Sequence, residues 1–266
     1  MTPPRPVASI VLTSALTAFG WCGARAGELP PLPSLRHLTF AVEVTVKDEY
    51  EKRQINTTSV TSGLIRRSAM TAGQHVPPDV RTAAYDRQLK GEIACDVVAA
   101  TSDGGLVVDV SEQGAERSSP RIRVAIEPNG HLAYSPATPL FDEEVALLRL
   151  LARSVIGSQP HDVGTSWVVE DNGKGYATKT TFRVTAVQGG SDLRLDVDGE
   201  FHQDGIDTIV GAVQGKLAYD QSKLVPRTAT LDSQSRRETP DGYRTLRVGI
   251  NLTLLQDSFA PITPRR

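Results

Sequence analysis

The chain has 266 residues, with 29 Lys and Arg against 31 Asp and Glu, and 39% of its residues are apolar. This length suits one all-β domain or two small domains that bury a core without cross-links. The composition is typical of a folded soluble protein and excludes disorder or collagen as the main state. A net charge of −2 argues against nucleic-acid binding, because counterion release requires a strongly basic surface.

The N-terminal residues have the pattern of an export signal. Arg5 precedes an apolar run at 7–19, and Ala24-Arg25-Ala26 supplies the small residues of a cleavage site. We therefore predict a signal peptide at 1–26. Lipid attachment at Cys22 is the alternative, although the bulky Trp21 before it disfavours this. The apolar run is too short to span a membrane, and no later segment is long and apolar enough.

Cleavage after Ala26 leaves Cys95 as the only cysteine, so no intramolecular disulfide can form. Cys95 belongs to an alternating row with apolar neighbours at 89, 93 and 97, which is typical of an inward-facing strand. We predict a buried thiol that packs as a small apolar side chain rather than a nucleophile.

The remaining chain divides into a Pro-rich tether at 27–34, one β-rich domain at 35–258 and a tail at 259–266. Apolar residues alternate with polar ones at 38–47, as expected for a strand with one buried face. A pairing strand is predicted at 55–65, and the aperiodic, polar segment at 66–83 is predicted to be a loop.

A change of period predicts one helix at 142–156. Asp142 is placed to cap its N-terminus, and Glu143 and Glu144 in the first turn favour the helix dipole. The apolar residues recur every three or four positions, and the chain then meets Gly157 and Pro160. The apolar stripe consists of Val145, Leu148, Leu151, Val155 and Ile156.

Turn signals separate the other alternating segments, including Asp103-Gly104-Gly105 and Pro128-Asn129-Gly130. About eleven strands with short connections and one helix indicate a mainly β fold. We predict a long-stranded antiparallel meander that forms a curved sheet or half-barrel with one amphipathic helix.

The sequence lacks the common catalytic templates. It contains no His-Glu-x-x-His, no Gly-x-Ser-x-Gly and no Ser-x-x-Lys pattern, so no nucleophile is paired with a base in a known arrangement. We predict a protein that is not an enzyme, with no catalytic residue and no cofactor.

One row of side chains has the chemistry of a cation site. Acidic residues and a histidine alternate along a predicted strand and therefore share one face, where carboxylate oxygens can hold a hard cation. A solvated outer face is the alternative that we favour, so we predict no metal site. The row consists of Asp196, Asp198, Glu200, His202 and Asp204.

The export signal, the long strands, the helix and turns such as Asp103-Gly104-Gly105 together resemble β-rich proteins of the bacterial cell envelope. The strand pattern over 35–258 is similar to the open half-barrel of lipoprotein and lipid carriers. The resemblance rests on pattern alone, so no functional residue is carried over from it. It implies a curved sheet whose apolar face takes an acyl chain, with the helix as a plug or lid.

We therefore predict an exported, non-enzymatic binding protein, periplasmic or secreted, for an apolar or acylated ligand such as a lipid or a lipoprotein acyl chain. The alternative is an envelope structural or assembly module that binds a protein partner through a sheet edge or face. The excess of Arg over Lys, 22 to 7, suggests a bacterial source. The candidate apolar ligand face consists of Phe40, Val42, Ile93, Val97, Leu148, Leu151, Phe182 and Val184.

Overall fold

A computed structural model describes residues 34–52, 85–135, 140–158, 161–173, 175–189, 191–204, 208–239 and 242–259. The predicted signal peptide, the strand predicted at 55–65 and the loop predicted at 66–83 lie outside the described residues. So do nearly all of the predicted tether and tail.

The described residues form eleven strands, one α-helix and one 3₁₀ turn. The elements are β1 (Arg36–Lys52), β2 (Tyr85–Ala100), β3 (Leu106–Gly114), β4 (Ile122–Ile126), β5 (Leu132–Ala133), α1 (Asp142–Leu150), the 3₁₀ turn (Arg153–Val155), β6 (Ser166–Gly173), β7 (Tyr176–Gln188), β8 (Asp192–Gln203), β9 (Ile209–Asp220), β10 (Val225–Thr239) and β11 (Gly242–Phe259).

All eleven strands belong to one antiparallel sheet, in the order β5-β4-β3-β2-β1-β11-β10-β9-β8-β7-β6. The first and last strands pair in the middle of the sheet, from Arg36 opposite Phe259 to Lys52 opposite Gly242. The edge strands β5 and β6 do not pair with each other, so the sheet of the described residues is open. The predicted fold class, an antiparallel meander with one helix, is confirmed.

The core lies on one face of the sheet, which we call the inner face. Alternate residues of β1 and β11 point to it, such as Val42 opposite Leu252 and Val44 opposite Ile250. Cys95 belongs to the same buried cluster and is fully enclosed. Burial raises the pKa of its thiol well above the usual range, as expected for the unreactive cysteine that the alternation predicts.

The helix is shorter than the sequence predicts. Asp142 is its first helical residue and Phe141 is its N-cap, so the prediction that Asp142 caps the helix is wrong. The helix ends at Leu150 rather than at 156. Ala152 adopts an extended conformation and separates it from the 3₁₀ turn. This break lets the Ser154 N–H donate to the Pro128 carbonyl at 2.9 Å, which ties the turn to the β4–β5 connection.

The buried side of the helix is also wider than the predicted stripe. Leu148 and Leu151 are buried as predicted, whereas Val145 is only half-buried and Leu147 and Leu150 join the core. The helix therefore presents a broad apolar surface to the sheet rather than a single row of side chains.

We expect Leu148→Ala to lower the free energy of unfolding by about 2–5 kcal/mol, because the removed methyl groups leave a cavity in a fully enclosed site. Chemical denaturation measures the change. The control is Val145→Ala on the same helix, with an expected loss below about 1 kcal/mol, since that side chain is already partly solvated. Equal losses in the two variants would contradict the buried position of Leu148.

Candidate functional site

All eight residues of the predicted ligand face lie in the core. Their exposed fractions do not exceed 8%, and they belong to one cluster that includes both strand and helix residues. Strand pairing brings Phe40 beside Ile93, and Phe182 beside Val197. Leu148 and Leu151 of the helix region complete the same cluster. A ligand reaches this enclosed face only if the packing around it opens, so its role in binding stays a prediction.

A second part of the inner face is half-buried rather than enclosed. It extends from β6 through β7, β8, β9, β10 and β11 to β1, and its side chains follow the core residues of each strand with the same parity. We call this set the half-buried strip. It consists of Val46, Val169, Thr178, Thr180, Phe201, Val213, Ser233, Ser235 and Leu246.

Two glycines in the floor of the half-buried strip let neighbouring side chains approach the backbone closely. A Cβ atom on Gly211 would approach the Phe201 ring to 2.2 Å, and one on Gly199 would approach Val213 to 2.8 Å. The Phe201 ring therefore lies flat on the backbone of β9. Aromatic and aliphatic surface, edged by serine and threonine hydroxyls, remains partly open to solvent.

The outer face carries a separate depression of about 720 Å³ over β6 to β10. Val210 and Ala212 form its apolar part, and Lys179, Glu200 and Arg236 lie around them. All five side chains are exposed. The lining of the depression also includes Thr178, Phe201 and Gly211, which belong to the half-buried strip or lie beneath it.

Two acidic residues in the first turn of α1 are buried, which the sequence analysis missed. Glu143 forms an ion pair with Arg117, and Glu144 accepts hydrogen bonds from the Ser119 hydroxyl and from the Phe141 N–H at 2.8 Å. The spacing contains the signal: Glu143 and Glu144 precede Leu147 and Leu148 by four residues and so lie on the same helix face.

A third carboxylate, Glu112 of β3, faces the same cluster from the sheet. Its Oε1 lies 3.5 Å from Arg117 Nε, and its Oε2 has no hydrogen-bond partner among the described residues. Burial raises the pKa of Glu112 and of Glu144, and the positive charge of Arg117 only partly opposes this. The three acids and one arginine join the helix N-terminus to β3 and to the β3–β4 connection.

A second polar cluster connects the two ends of the open sheet. The His131 ring, just before β5, stacks on Tyr176 of β7, and their closest polar atoms, Nδ1 and Oη, lie 2.6 Å apart. The Tyr176 hydroxyl donates to Asp171 Oδ1 at 3.1 Å. Burial and the hydrogen bond to Asp171 raise the pKa of Tyr176 to about 12, so the hydroxyl stays protonated. The sequence gives no local signal for this cluster, because it depends on distant strands.

The alternating acidic row of β8 lies on the outer face. Asp196, Asp198, Glu200 and His202 are exposed, and His202 pairs with Asp204 at 2.8 Å. In the parts of the chain that the structure describes, no three His, Cys, Asp or Glu side chains are grouped closely enough to hold a metal ion. The arrangement is that of a solvated sheet surface.

No helix in the described ranges combines the length and the apolar composition that crossing a membrane requires. No protein-family model matches the chain, and no curated protein does. A solved structure described as lipid–protein interactions in lipovitellin is similar with a TM-score of 0.44 and 9% identity, over 89% of this chain. This chain spans 27% of that one. Similarity of this degree establishes neither a common fold nor a common ligand.

We expect the free energy of unfolding of Glu112→Gln, relative to that of the wild type, to increase as pH rises. A carboxyl whose pKa is raised by folding stabilises the folded state below its unfolded pKa, and this contribution is lost as pH rises through the folded pKa. Each such proton gives a slope of at most about 1.4 kcal/mol per pH unit. Denaturant titrations across the acidic and neutral range measure the difference between variant and wild type.

The matched control for this change is Glu116→Gln on the β3–β4 connection, where the exposed Glu116 pairs with Arg87. Because the Glu116 side chain is 53% exposed and its ion pair lies at the surface, this variant should change the free energy of unfolding by less than about 1 kcal/mol. Parallel profiles for Glu112→Gln and the wild type would contradict the raised pKa of Glu112.

Proposed function

We propose that the chain is an exported, non-enzymatic binding protein of the bacterial cell envelope that holds an apolar or acylated ligand on the inner face of its sheet. The observation that carries the proposal is the half-buried strip, in which Phe201, Val213 and Leu246 keep apolar surface in contact with solvent. The pattern at 1–26 supports export, and the composition supports a bacterial source.

The energetics of chain burial favour this kind of ligand. Each methylene group that leaves water gains about 0.8 kcal/mol, without any need for directional contacts. The half-buried strip crosses seven strands, or about 29 Å at the usual strand spacing, which gives a long hydrocarbon chain room to lie across the sheet. The hydroxyls of Thr178, Ser233 and Ser235 along the strip tolerate water when no ligand is bound.

The chemistry of the described side chains supports binding rather than catalysis. Cys95 is enclosed, with its thiol pKa raised, so it is a poor nucleophile. The Tyr176 hydroxyl stays protonated and is used in a bridge between distant strands. Neither group combines an open position with an activated state.

Filling the half-buried strip should block binding. We expect Ser235→Trp to weaken the binding of a fluorescent fatty acid at least about tenfold, because the indole occupies the space beside Leu246 and Gly211. The control is Gln234→Trp, one residue away on the outer face, which should bind as the wild type does. The opposite pattern would place the ligand in the outer depression, which Gln234 lines.

The role of the helix as plug or lid requires a separate measurement. If α1 is a lid over the predicted eight-residue face, ligand replaces part of its packing, so Leu148→Ala should change affinity and destabilise the ligand-loaded protein less than the delipidated one. If α1 is a fixed plug, the loss of unfolding free energy is the same in both states. Denaturant midpoints of delipidated and loaded protein, with and without the substitution, distinguish these cases.

Mass spectrometry of an organic extract from natively purified protein tests the proposal as a whole. A co-purified acyl compound is the expected result. An empty protein that also fails to bind a fluorescent fatty acid would overturn the proposal. A polypeptide captured by crosslinking in intact cells, with no lipid present, would favour the assembly module instead.

A further inference from the structure

Exposed apolar side chains are concentrated at one end of the sheet. Eight large apolar side chains of the described residues are exposed, and five of them lie at the end where β1 begins and β11 ends. Strand pairing places the start of β6, the end of β7 and the β9–β10 turn at this same end. We call these five side chains the apolar rim. It consists of Leu35, Val163, Val187, Leu224 and Leu255.

Four members of the apolar rim lie at or near the ends of different strands. Leu35 directly precedes β1, and its N–H donates to the Val97 carbonyl of β2 at 2.8 Å. Val163 lies three residues before β6, and Val187 is the next-to-last residue of β7. Leu255 lies within the last five residues of β11. The apolar rim therefore consists of separate projections rather than one continuous surface.

The fifth member, Leu224, has a backbone conformation that leucine avoids. It lies in the β9–β10 turn with a φ of 53°, where its Cβ is crowded and glycine or asparagine is favoured. Its side chain is also 50% exposed. Leucine at this position is therefore unfavourable in two ways, through backbone strain and through contact with water. An apolar contact outside the chain would compensate for them.

Hydrogen bonds fix the turn that carries Leu224. Asp220 Oδ1 accepts from the N–H groups of Ser222 at 3.1 Å and Lys223 at 3.2 Å. It also accepts from the Ser222 hydroxyl at 2.6 Å. On the other side, the Arg36 guanidinium donates to the Lys223 carbonyl at 2.6 Å. The turn therefore holds Leu224 in one position, so a contact through it costs little conformational entropy.

The charged side chains beside this turn are paired with each other. Each cation lies between 2.9 and 3.7 Å from a carboxylate oxygen. Three cations and three carboxylates form these pairs: Arg36, Lys223, Arg227, Asp192, Asp220 and Asp257. Attraction of a partner to this end therefore depends on apolar contact rather than on net charge.

The apolar rim is too small and too dispersed for a stable protein interface. A complete Leu or Val side chain offers about 60–120 Å² of apolar surface, so five half-exposed ones offer about 150–300 Å². Each partner in a stable protein interface contributes roughly 800 Å². From β1 to β7 the rim crosses five strand spacings, or about 24 Å. A fluid lipid surface accepts separate side chains individually, because it requires no complementary shape.

We propose that the apolar rim docks this end of the protein on the surface of a phospholipid bilayer. The five side chains enter the boundary between head groups and acyl chains, and the paired charges remain in the polar layer. Docking itself does not depend on the ligand. If the binding function proposed above holds, docking brings the half-buried strip close to a source of apolar ligand.

Flotation of natively purified protein with phosphatidylcholine vesicles tests the proposal. The wild type should float with the vesicles at low salt and also at about 0.5 M salt, which screens charges but not apolar contacts. Leu224→Asn should lower the partition coefficient about threefold to tenfold, the loss expected for half of a leucine side chain. Asparagine tolerates a positive φ, so the denaturant midpoint of this variant should not fall.

The matched control is Val210→Thr at the opposite end of the sheet. Val210 is the second residue of β9 and is 46% exposed on the outer face. This variant also replaces exposed apolar surface by a polar group, and it should float as the wild type does. An equal loss of flotation in the two variants would overturn the assignment to the apolar rim.

The remaining outcomes also decide the proposal. Absence of wild-type flotation, its loss at high salt, or unchanged flotation of Leu224→Asn overturns docking through the apolar rim. Self-association that Leu224→Asn abolishes, without flotation of the wild type, would identify a second copy of the chain as the partner and also overturns it.

Fatty-acid binding without vesicles separates docking from the proposed binding function. Leu224→Asn should bind a fluorescent fatty acid as the wild type does, because the half-buried strip is unchanged. A protein that floats but fails to bind the fatty acid supports docking and overturns the binding function. A protein that binds the fatty acid but fails to float gives the reverse result.

Discussion

The mismatch in size between one wide sheet and one short helix is the constraint on which the rest of this structure depends. Eleven strands at the usual spacing measure about 48 Å along the curve of the sheet, whose two ends meet at His131 and Tyr176. A nine-residue helix is about 14 Å long and about 10 Å across. The helix therefore covers only a few strands. The rest of the inner face must be covered by neighbouring strands, remain partly exposed or receive a ligand.

The docking of the helix also explains the buried acids. Its N-terminal turn must lie close to β3 for Leu147 and Leu148 to reach the core, and this brings Glu143 and Glu144 out of water. Charged carboxylates are costly in such surroundings unless they are paired or protonated. Arg117 forms an ion pair with Glu143, and the Ser119 hydroxyl and the Phe141 N–H donate hydrogen bonds to Glu144. Apolar packing of the helix thus buries carboxyl groups, and burial raises the pKa of Glu144 and of the facing Glu112.

Sequence periodicity predicted the elements whose burial follows from local alternation. The inward row of β1 and the enclosed Cys95 follow from spacing alone. The helix cap predicted at Asp142 lies one residue earlier, at Phe141. The pairing of β1 with β11 joins residues more than 200 positions apart, so no local pattern contains it. Features that depend on this long-range register were missed for the same reason. They include the bridge between His131 and Tyr176 and the apolar rim at one end of the sheet.

The free energies of side-chain burial also indicate which part of the inner face is available to a ligand. Lifting the helix region would expose its buried side chains, each worth about 1.5–3 kcal/mol. Six of them together are worth about 9–18 kcal/mol, which is comparable to the roughly 5–15 kcal/mol that stabilises a typical domain. The six side chains are Leu147, Leu148, Leu150, Leu151, Val155 and Ile156. Binding at the enclosed face therefore requires a ligand that replaces nearly all of that packing.

The half-buried strip requires no such opening, because its apolar surface already meets solvent. A chain that binds there leaves the helix, its acids and Arg117 in place, so ligand affinity and helix docking are independent to a first approximation.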